Sequence, residues 1–556
     1  MFDKYKMEVD NIMKKTMIWI FTVALFLSVL SGCSTDKNNK ETSVTSTPTS
    51  APVKTPTPTE TIENEKYHYT LCVGNYGPYE SEKPTVIAYM EDFLGDVEFE
   101  LIYVENTERQ TKVNMLIAGG TMPDVLGTVD QYAMYKEDII GSWDEQFFRE
   151  SAPDYSVLID TTSEEYGLDG WAVTKFDGER MYTMPGFRIN NAFADVVVWR
   201  DDWLTELGIN KIPETLNEAE EAFYAITQDD PDGNGKDDTY GLSSGAFNSI
   251  YGAFGTMRKM WIENSDGTLS YGDTLEGAKQ ATAQLAKWYA DGVLDPEFIN
   301  SENEGGYWAV STKFNTGRIG YTGYANWYHW HPDLGTANFN AGGTLDFIAQ
   351  NPDGSFKIGV PPIGPNGERG TSQADIRQLG TVFSKSLVDD TDRFARLLQV
   401  YNTLYTDKDL FFTNALGIEG THWFYGEYDG KEIVLIDENN STLAQQTAIG
   451  GLPTITTSNE GPSLELQTIR YGGGIYWAQE NLTDINYGYV NRVFSNSVLP
   501  SAAEYTSELA TLMDEGFISI ITGDQPIEYF DKMVSDWYKF GGEVLTKEAN
   551  DWYSMQ

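Results

Sequence analysis

Cysteine, histidine and basic side chains are scarce in this sequence of 556 residues, and each scarcity excludes a class of protein. Two cysteines, Cys33 and Cys72, cannot build a disulfide scaffold. The sequence has four histidines and no C-x-x-C, H-E-x-x-H or P-loop motif, so it carries no recognisable zinc or nucleotide signature. The 38 basic residues against 84 acidic ones give a net charge of −46, which would repel phosphates. We therefore expect no nucleic-acid partner.

Aromatic residues, in contrast, are abundant. They make up 13% of the chain, and 40% of all residues are hydrophobic. A disordered acidic chain would lack these side chains, so most of the sequence can form a packed core. The length predicts several domains of ordinary size or one large two-lobed body. The excess of acidic groups is typical of a soluble surface in an exposed compartment.

The amino terminus has the features of a bacterial export signal. Lys14 and Lys15 precede a largely apolar run of fourteen residues, 17–30, which is too short to span a bilayer comfortably. The tetrapeptide LSGC that ends at Cys33 resembles the lipobox of bacterial lipoproteins. The resemblance implies a signal peptide over 1–32 and an acylated, for example palmitoylated, Cys33. A Ser/Thr/Pro-rich tether over 33–65 would then hold the protein at the extracellular face of the cell membrane.

The remaining chain predicts alternating strands and helices. Residues 67–73 and 97–104 are rich in β-branched and aromatic residues and predict two strands, with a helix over 81–94 between them. A further helix is expected over 113–118 and a short buried strand over 123–126. Strand–helix–strand alternation at this spacing favours a parallel α/β layer. Later helices are predicted over 201–207, after Thr215 with a capping box to Glu218, and over 275–290, 392–405, 501–515 and 529–540.

One loop has the spacing of a calcium site. In DPDGNGKDD, oxygen-bearing side chains occupy positions 1, 3, 5 and 9, a glycine occupies position 6, and a backbone carbonyl is available at position 7. The predicted ligands are Asp230, Asp232, Asn234, the carbonyl of Lys236, and Asp238. Position 12 is Gly241 rather than glutamate, which favours a structural Ca²⁺ over a regulatory EF-hand. The alternative is a polar turn, which these residues also favour.

No catalytic constellation can be identified. The segment Gly241–Gly245 matches G-x-S-x-G, but it directly follows the calcium-type loop rather than a strand, so a nucleophile elbow is not expected. A glycosidase would need two placed carboxylates, and 84 acidic residues offer no means to select them. We therefore expect that the protein is not an enzyme.

Seven segments in order resemble extracellular solute-binding lipoproteins of carbohydrate ABC importers, in the large calcium-containing branch of that family. The segments are Ala118–Val125, Trp199–Thr215, the loop from Asp230, Trp288–Phe298, Phe314–Gly320, Gly417–Gly420 and Gly541–Val544. The resemblance implies an α/β fold of the type II periplasmic-binding-protein class, in which each lobe has a central sheet flanked by helices and the ligand lies between the lobes. Lobe 1 would comprise about 66–185 and 376–470, and lobe 2 about 186–375 and 471–556.

Sugar-binding sites combine aromatic platforms with fixed polar groups, so we predict ligand contacts at aromatic residues in loops and near the lobe crossings. The predicted residues are Asn75, Tyr76, Arg188, Trp199, Arg200, Trp261, Tyr324, Trp327, Trp330, Arg377, Glu419, Trp423 and Trp477. Arg188 and Arg377 could clamp a sugar carboxylate. The alternatives are that each tryptophan fills the core and that each arginine pairs with an acidic neighbour.

The predicted function is capture of an oligosaccharide by a lipid-anchored, monomeric binding protein that delivers it to ABC permease subunits. Three alternatives stay open from the sequence: a sensor of the same fold, a receptor for peptides or polyamines, and a lipid-anchored glycan-active enzyme. The identity, charge, linkage and length of the sugar are not encoded in any pattern that we can interpret.

Overall fold

The computed structural model describes residues 66–127, 129–300, 302, 311–323, 326–331, 342–457, 461–495 and 498–555. The chain divides into two units, 1–63 and 64–556, and all described residues belong to the second. The predicted signal peptide, Cys33 and the tether lie outside the described residues. In the part that is described, no helix is both long and apolar enough to cross a membrane.

The strands are short apart from the first two, which have nine residues each. They are β1 (Tyr67–Asn75), β2 (Val97–Glu105), β3 (Val125–Leu126), β4 (Pro185–Phe187), β5 (Val197–Arg200), β6 (Tyr240–Leu242), β7 (Trp261–Glu263), β8 (Leu269–Tyr271), β9 (Ile319–Thr322), β10 (Phe356–Gly359), β11 (Thr371–Gln373), β12 (Arg377–Leu379), β13 (Val382–Phe383), β14 (Trp423–Tyr428), β15 (Lys431–Ile436) and β16 (Gly488–Val490).

Helices alternate with these strands and then dominate the carboxyl-terminal part. They are α1 (Thr85–Leu94), α2 (Arg109–Ala118), α3 (Gln131–Lys136), α4 (Glu145–Ser151), α5 (Pro153–Tyr166), α6 (Asp201–Glu206), α7 (Leu216–Gln228), α8 (Phe247–Gly252), α9 (Glu276–Ala290), α10 (Thr312–Asn315), α11 (Gly342–Gln350), α12 (Lys385–Asp389), α13 (Thr391–Thr406), α14 (Lys408–Leu416), α15 (Leu443–Ala448), α16 (Leu464–Tyr471), α17 (Gly473–Asn481), α18 (Ala502–Ile521), α19 (Tyr529–Trp537) and α20 (Glu543–Tyr553).

Local sequence signals determine where several helices begin. The predicted capping box is confirmed: the Thr215 hydroxyl accepts the Glu218 backbone N–H, and the Glu218 carboxylate accepts the Thr215 N–H. The helix predicted from residue 81 begins only at Thr85, because Pro84 disfavours helical backbone in the residue before it. The Glu80 carboxylate instead accepts the Thr85 backbone N–H at 2.9 Å.

Two four-stranded sheets form the framework. In the first, with order β13-β3-β1-β2, β1 pairs in parallel with β2 and β3, whereas β13 is antiparallel to β3. This confirms the predicted parallel α/β layer. The second has order β10-β5-β9-β6, and β6 is parallel to β9 while β5 is antiparallel to both of its neighbours. Each sheet combines strands that are distant in sequence, so neither sheet forms from one continuous segment.

Each sheet is associated with its own large hydrophobic core. The first core draws on residues between Tyr69 and Phe187 and between Ile376 and Ile469. The second, apart from Tyr132, draws on residues between Val197 and Tyr321 and between Val493 and Ala549. The carboxyl-terminal helices α18 to α20 therefore complete the core of the second sheet.

Two motif residues at strand ends form ion pairs, one to a distant helix and one to a residue two positions along the chain. The Asp124 carboxylate accepts hydrogen bonds from the backbone N–H and the hydroxyl of Thr70 in β1. It also forms an ion pair with Arg393 in α13, at 2.6 Å. In the second sheet, the buried Arg200 contacts Asp202 at 2.6 Å, and its guanidinium lies 4.2 Å from the centre of the Trp203 ring. These motif residues therefore stabilise the fold.

A third motif residue, Asp295, is completely buried and contacts two cations. Its carboxylate lies 2.8 Å from Lys313 Nζ and 2.7 Å from Arg318 Nη2, so the blocks Trp288–Phe298 and Phe314–Gly320 meet here. Ser243 of the G-x-S-x-G segment donates to the same carboxylate at 3.2 Å and is itself fully buried. The expectation that no strand precedes this segment is wrong, because β6 ends at Leu242 and α8 begins at Phe247. Ser243 nevertheless has no access to a substrate, because it is fully buried against Asp295.

Candidate functional site

The chain passes between the two sheets through a short antiparallel ribbon of β4 and β12. Arg377 lies opposite Phe187 in this pairing, and the backbone N–H of Arg188 donates to the Ile376 carbonyl at 2.9 Å. Gln467 of α16 joins the ribbon, because its buried amide accepts the Ile189 N–H at 2.9 Å and donates to the Phe187 carbonyl at 2.8 Å. Three segments that are far apart in sequence therefore meet at the crossing.

The two arginines predicted to clamp a carboxylate are neighbours on this ribbon. Arg377 is occupied: its Nε and Nη2 donate to both oxygens of Asp375, with the closest contact at 2.7 Å. The alternative reading, an arginine paired with an acidic neighbour, therefore describes Arg377 in this structure. Arg188 is half-buried beside it.

An aromatic group lies next to the crossing. The Trp327 indole N–H donates to the carbonyl of Asn190, three residues beyond β4, at 3.0 Å. The His331 ring lies 6.1 Å from the Trp327 ring and 6.4 Å from that of Trp477. Burial, and secondarily the charge of His331, lowers the pKa of His329 to about 4, so this imidazole is uncharged at neutral pH. The group is thus an aromatic cluster with little charge, in which Trp327 and His331 are buried and the half-buried Trp477 keeps ring surface that could stack on a sugar.

A half-buried carboxylate links the crossing to the second sheet, and no sequence pattern indicated it. Asp195 accepts hydrogen bonds from Ser372 Oγ at 2.6 Å and from Asn326 Nδ2 at 3.1 Å. Desolvation raises the pKa of Asp195 to about 6, although both hydrogen bonds lower it. Asp195 also borders a cavity of about 10 Å³ with Pro361 and Leu482, room for one water molecule. Each of these partners lies more than a hundred positions after Asp195 in the sequence, so no local pattern could have identified the group.

The carboxyl edge of the first sheet carries a second polar and aromatic group. The buried Asn75 ends β1, and its Nδ2 donates to the Tyr79 hydroxyl at 2.5 Å. Tyr76 follows with 51% of its surface exposed, and its backbone N–H donates to Thr447 Oγ1 at 3.4 Å. Ligands of open α/β sheets bind outside the carboxyl ends of the strands, which is where Tyr76 lies.

The calcium-type loop brings its oxygen atoms together around one amide. The Nδ2 atom of Asn234 lies 2.8 Å from Asp232 Oδ2 and 3.0 Å from Asp238 Oδ1, and the Asp230 carboxylate accepts the Gly235 N–H at 2.9 Å. Burial and the neighbouring carboxylates raise the pKa of Asp232. Among the described residues, no group of three Asp, Glu, His or Cys side chains has the arrangement of an assembled metal site. The donor set nevertheless consists of oxygen atoms only, the chemistry that Ca²⁺ requires.

The chain is similar to two curated proteins of Bacillus subtilis over 85% of its own length. It is 23% identical to the polygalacturonan/rhamnogalacturonan-binding protein YtcQ and 23% identical to the lipoprotein LipO, and covers 89% of each. No protein-family model matches the chain. Among solved structures, the FusA substrate-binding protein of a Streptococcus pneumoniae ABC transporter superimposes with a TM-score of 0.60 at 16% identity. That match covers 88% of this chain and 99% of FusA.

The chain has the two-lobed fold of an ABC-transporter solute-binding protein. This confirms the fold class and the resemblance that the sequence motifs indicated. YtcQ and FusA are both named as binding proteins, and none of these three relatives is named as an enzyme. The FusA structure is of an EF-hand mutant of that protein.

Within this solute-binding fold, five of the predicted platforms have no exposed ring face. Trp199, Trp261, Trp327, Trp330 and Trp423 each have at most 2% of their surface exposed. Trp199 packs on Phe223 and Tyr321, and the Trp423 indole donates to the Gly417 carbonyl at 2.7 Å. These rings fill the core, because burying a large aromatic side chain removes much apolar surface from water and so stabilises the fold.

The remaining predicted ligand residues differ in accessibility. Arg200 is buried against Asp202, whereas Glu419 is exposed on the turn that precedes Trp423. Tyr76 is exposed and Trp477 is half-buried, so both keep surface for a ligand. Tyr324, like Cys33, lies outside the described residues.

Proposed function

We propose that the protein is a lipid-anchored substrate-binding protein that captures an oligosaccharide between its lobes and delivers it to an ABC permease. Lobe 1 would comprise about 66–185 and 376–470, and lobe 2 about 186–375 and 471–556. Similarity over 85% of the chain to a polygalacturonan/rhamnogalacturonan-binding protein is the observation that carries this proposal. The uncharged aromatic group beside the β4–β12 crossing supports it, since ligand closure in two-lobed proteins takes place around such crossings.

The proposed ligand surface has two parts. The half-buried Trp477 lies next to the crossing, with the buried His331 behind it, and the exposed Tyr76 follows the buried Asn75 at the carboxyl edge of the first sheet. Aromatic rings would stack on the C–H faces of a sugar, and the amides and Arg188 would read its hydroxyl groups. Proposed attachment through Cys33, at the extracellular face of the membrane, agrees with the lipoprotein name of LipO.

Replacing Trp477 by alanine is expected to weaken oligosaccharide binding about tenfold, because one stacking surface of about 1.4 kcal/mol is lost. Isothermal titration calorimetry of the wild type with a panel of neutral and acidic oligosaccharides comes first, followed by the variant. Phe93→Ala is the matched control, since Phe93 is exposed near the end of α1, shortly before Asp96, whose carbonyl accepts the Tyr67 N–H at the start of β1. Cleavage of any bound sugar during incubation would contradict a binding role.

We also propose that the loop from Asp230 to Asp238 binds one structural Ca²⁺. The ligands would be the side chains of Asp230, Asp232, Asn234 and Asp238 and the carbonyl of Lys236. A cation would neutralise the carboxylates whose proximity raises the pKa of Asp232. Ca²⁺ would thus hold the loop between α7 and β6 in one conformation, without contact with the sugar.

Removal of Ca²⁺ with a chelator is expected to lower the free energy of unfolding. The loss should be about 2.7 kcal/mol if the free Ca²⁺ concentration before removal was a hundred times the Kd. Thermal melting with and without the chelator measures this. Asp238→Asn should reduce the effect of Ca²⁺, whereas Asp237→Asn, next to it and outside the predicted ligand set, should preserve it. Equal melting curves for the wild type in Ca²⁺ and in chelator would rule out the site.

A further inference from the structure

Arg109 occupies a prepared position at the carboxyl edge of the first sheet. It is the first residue of α2 and follows the end of β2 by four positions. Its side chain lies across Gly74 of β1, where a Cβ atom would stand 2.8 Å from Arg109 Nη1 and 2.9 Å from its Cδ. A larger residue at position 74 would displace the Arg109 side chain, so the glycine leaves room for this arrangement.

The charge of Arg109 is not matched by an acidic group. Its Nη1 atom donates to Asn106 Oδ1 at 2.8 Å, and among the described residues no carboxylate comes within ion-pair distance. The ionisable side chains that affect it are Tyr76 and Cys72, and burial lowers the pKa of Arg109. A partly buried cation without a partner is unusual in a protein with 46 excess negative charges, because unpaired buried charge is destabilising.

A second cation lies on the same face of α2. Lys112 follows Arg109 by three positions, which places both side chains on one side of the helix, and it also has no ion pair within the described part of the chain. Both cations act on Cys72 in β1 and lower its pKa, against the larger effect of burial. Positive side chains at a helix amino terminus repel its dipole, so an anion at this edge would stabilise the arrangement.

We propose that Arg109, supported by Lys112 and Asn106, binds the carboxylate of an acidic sugar unit, with the exposed ring of Tyr76 beside it. This inference rests on the proposed oligosaccharide-binding function and names its ligand class, a uronate-containing oligosaccharide. It assigns the role to a residue other than Arg377, whose guanidinium already contacts Asp375. The planar guanidinium can form two parallel hydrogen bonds to a carboxylate, which a neutral sugar cannot accept in the same way.

The test compares two ligands and three variants by calorimetry. The probes are a trimer of galacturonic acid and its methyl ester, which has the same linkages without the charges. Arg109→Gln should bind the acid trimer about 10- to 100-fold more weakly and the ester within twofold of the wild type. Arg109→Lys should retain part of the affinity for the acid because the charge remains. Lys539→Gln, an exposed cation near the carboxyl terminus, removes the same charge elsewhere and should change neither affinity.

The outcomes separate this inference from the function on which it rests. If Arg109→Gln binds the acid trimer as tightly as the wild type, the carboxylate subsite is wrong and the binding function stands. The same holds if the wild type binds a neutral oligosaccharide but not the acid trimer. A wild type that binds no oligosaccharide overturns both. Thermal melting controls for folding, since Arg109 has no ion pair to lose and Arg109→Gln should melt within about 2 °C of the wild type.

Discussion

Asp295→Asn is expected to lower the free energy of unfolding by about 3–5 kcal/mol, among the largest effects of any single substitution in this protein. The reason is that the variant leaves the buried Lys313 without a counter-charge: Asp295 is fully buried, and its carboxylate contacts both Lys313 and Arg318. Urea unfolding followed by tryptophan fluorescence measures the change, and 14 tryptophans provide the signal.

Glu297→Gln is the matched control for this prediction. Glu297 also contacts Arg318, at 3.4 Å, but its side chain is 59% exposed, and an exposed pair contributes at most about 1 kcal/mol. Equal destabilisation by the two variants would contradict the assignment of Asp295 as a buried structural anchor.

The pH dependence of the Asp295 variant provides an independent check. Burial raises the pKa of Asp295, but the hydrogen bonds from Arg318 and Lys313 outweigh it and hold the pKa below the ordinary value of 3.8. A depressed folded-state pKa stabilises the protein at pH values above 3.8, and this contribution disappears as the pH falls through the folded-state pKa. The difference between wild type and variant should therefore be constant from about pH 5 to 7 and shrink below 3.8.

Trp199→Ala is also expected to destabilise the protein by about 3–5 kcal/mol, through the cavity that it leaves in the second core. The Trp199 ring lies 5.3 Å from Phe223 and 4.4 Å from Tyr321, centre to centre, and is 1% exposed. Differential scanning calorimetry should show a large loss of stability. Trp477→Ala should cost much less, because that ring is half-buried.

Trp199→Phe distinguishes packing from hydrogen bonding at this position. The buried indole N–H of Trp199 has no hydrogen-bond partner among the described side chains and backbone groups, so phenylalanine loses volume but also removes an unpaired polar group. We expect a loss below about 1.5 kcal/mol for this variant. A loss as large as that of the alanine variant would show that the N–H is needed.

Local patterns were sufficient to predict many elements of this fold. The first strand was predicted over 67–73 and spans Tyr67–Asn75, and the helix predicted over 275–290 spans Glu276–Ala290. The capping box at Thr215 has both of its hydrogen bonds. These features depend on residues within one or two turns of each other, where alternation, helical periodicity and capping act directly. The helix predicted over 529–540 is an α-helix to Trp537 and continues as a π-helical turn over Tyr538–Gly542, in which Gly541, with a φ of 134°, departs from helical backbone.

The sequence predicts the ligand surface less well than it predicts the helices and strands, and the aromatic residues show why. A tryptophan in a loop beside glycine is typical of a ring that stacks on a sugar, but it is equally typical of a side chain buried in the core. Trp423 follows Glu419 and Gly420 along the chain, yet its ring is buried against Phe412 and its indole is bonded to Gly417. Which face of a ring is covered depends on elements far away in sequence, so exposure cannot be inferred from neighbours alone.

The sequence by itself determined the α/β class, the order of the main strands and helices, the oxygen-rich loop from Asp230 and the absence of a recognisable catalytic motif. The tertiary structure decided which charges are paired. Asp375 forms an ion pair with Arg377, and Asp295 forms ion pairs with Lys313 and Arg318. Arg109 lies over Gly74 and has no carboxylate within ion-pair distance among the described residues. Periodicity and capping act over a few residues and can be read along the chain. Pairing among 84 acidic and 38 basic groups depends on distances in space, which only the packed fold sets.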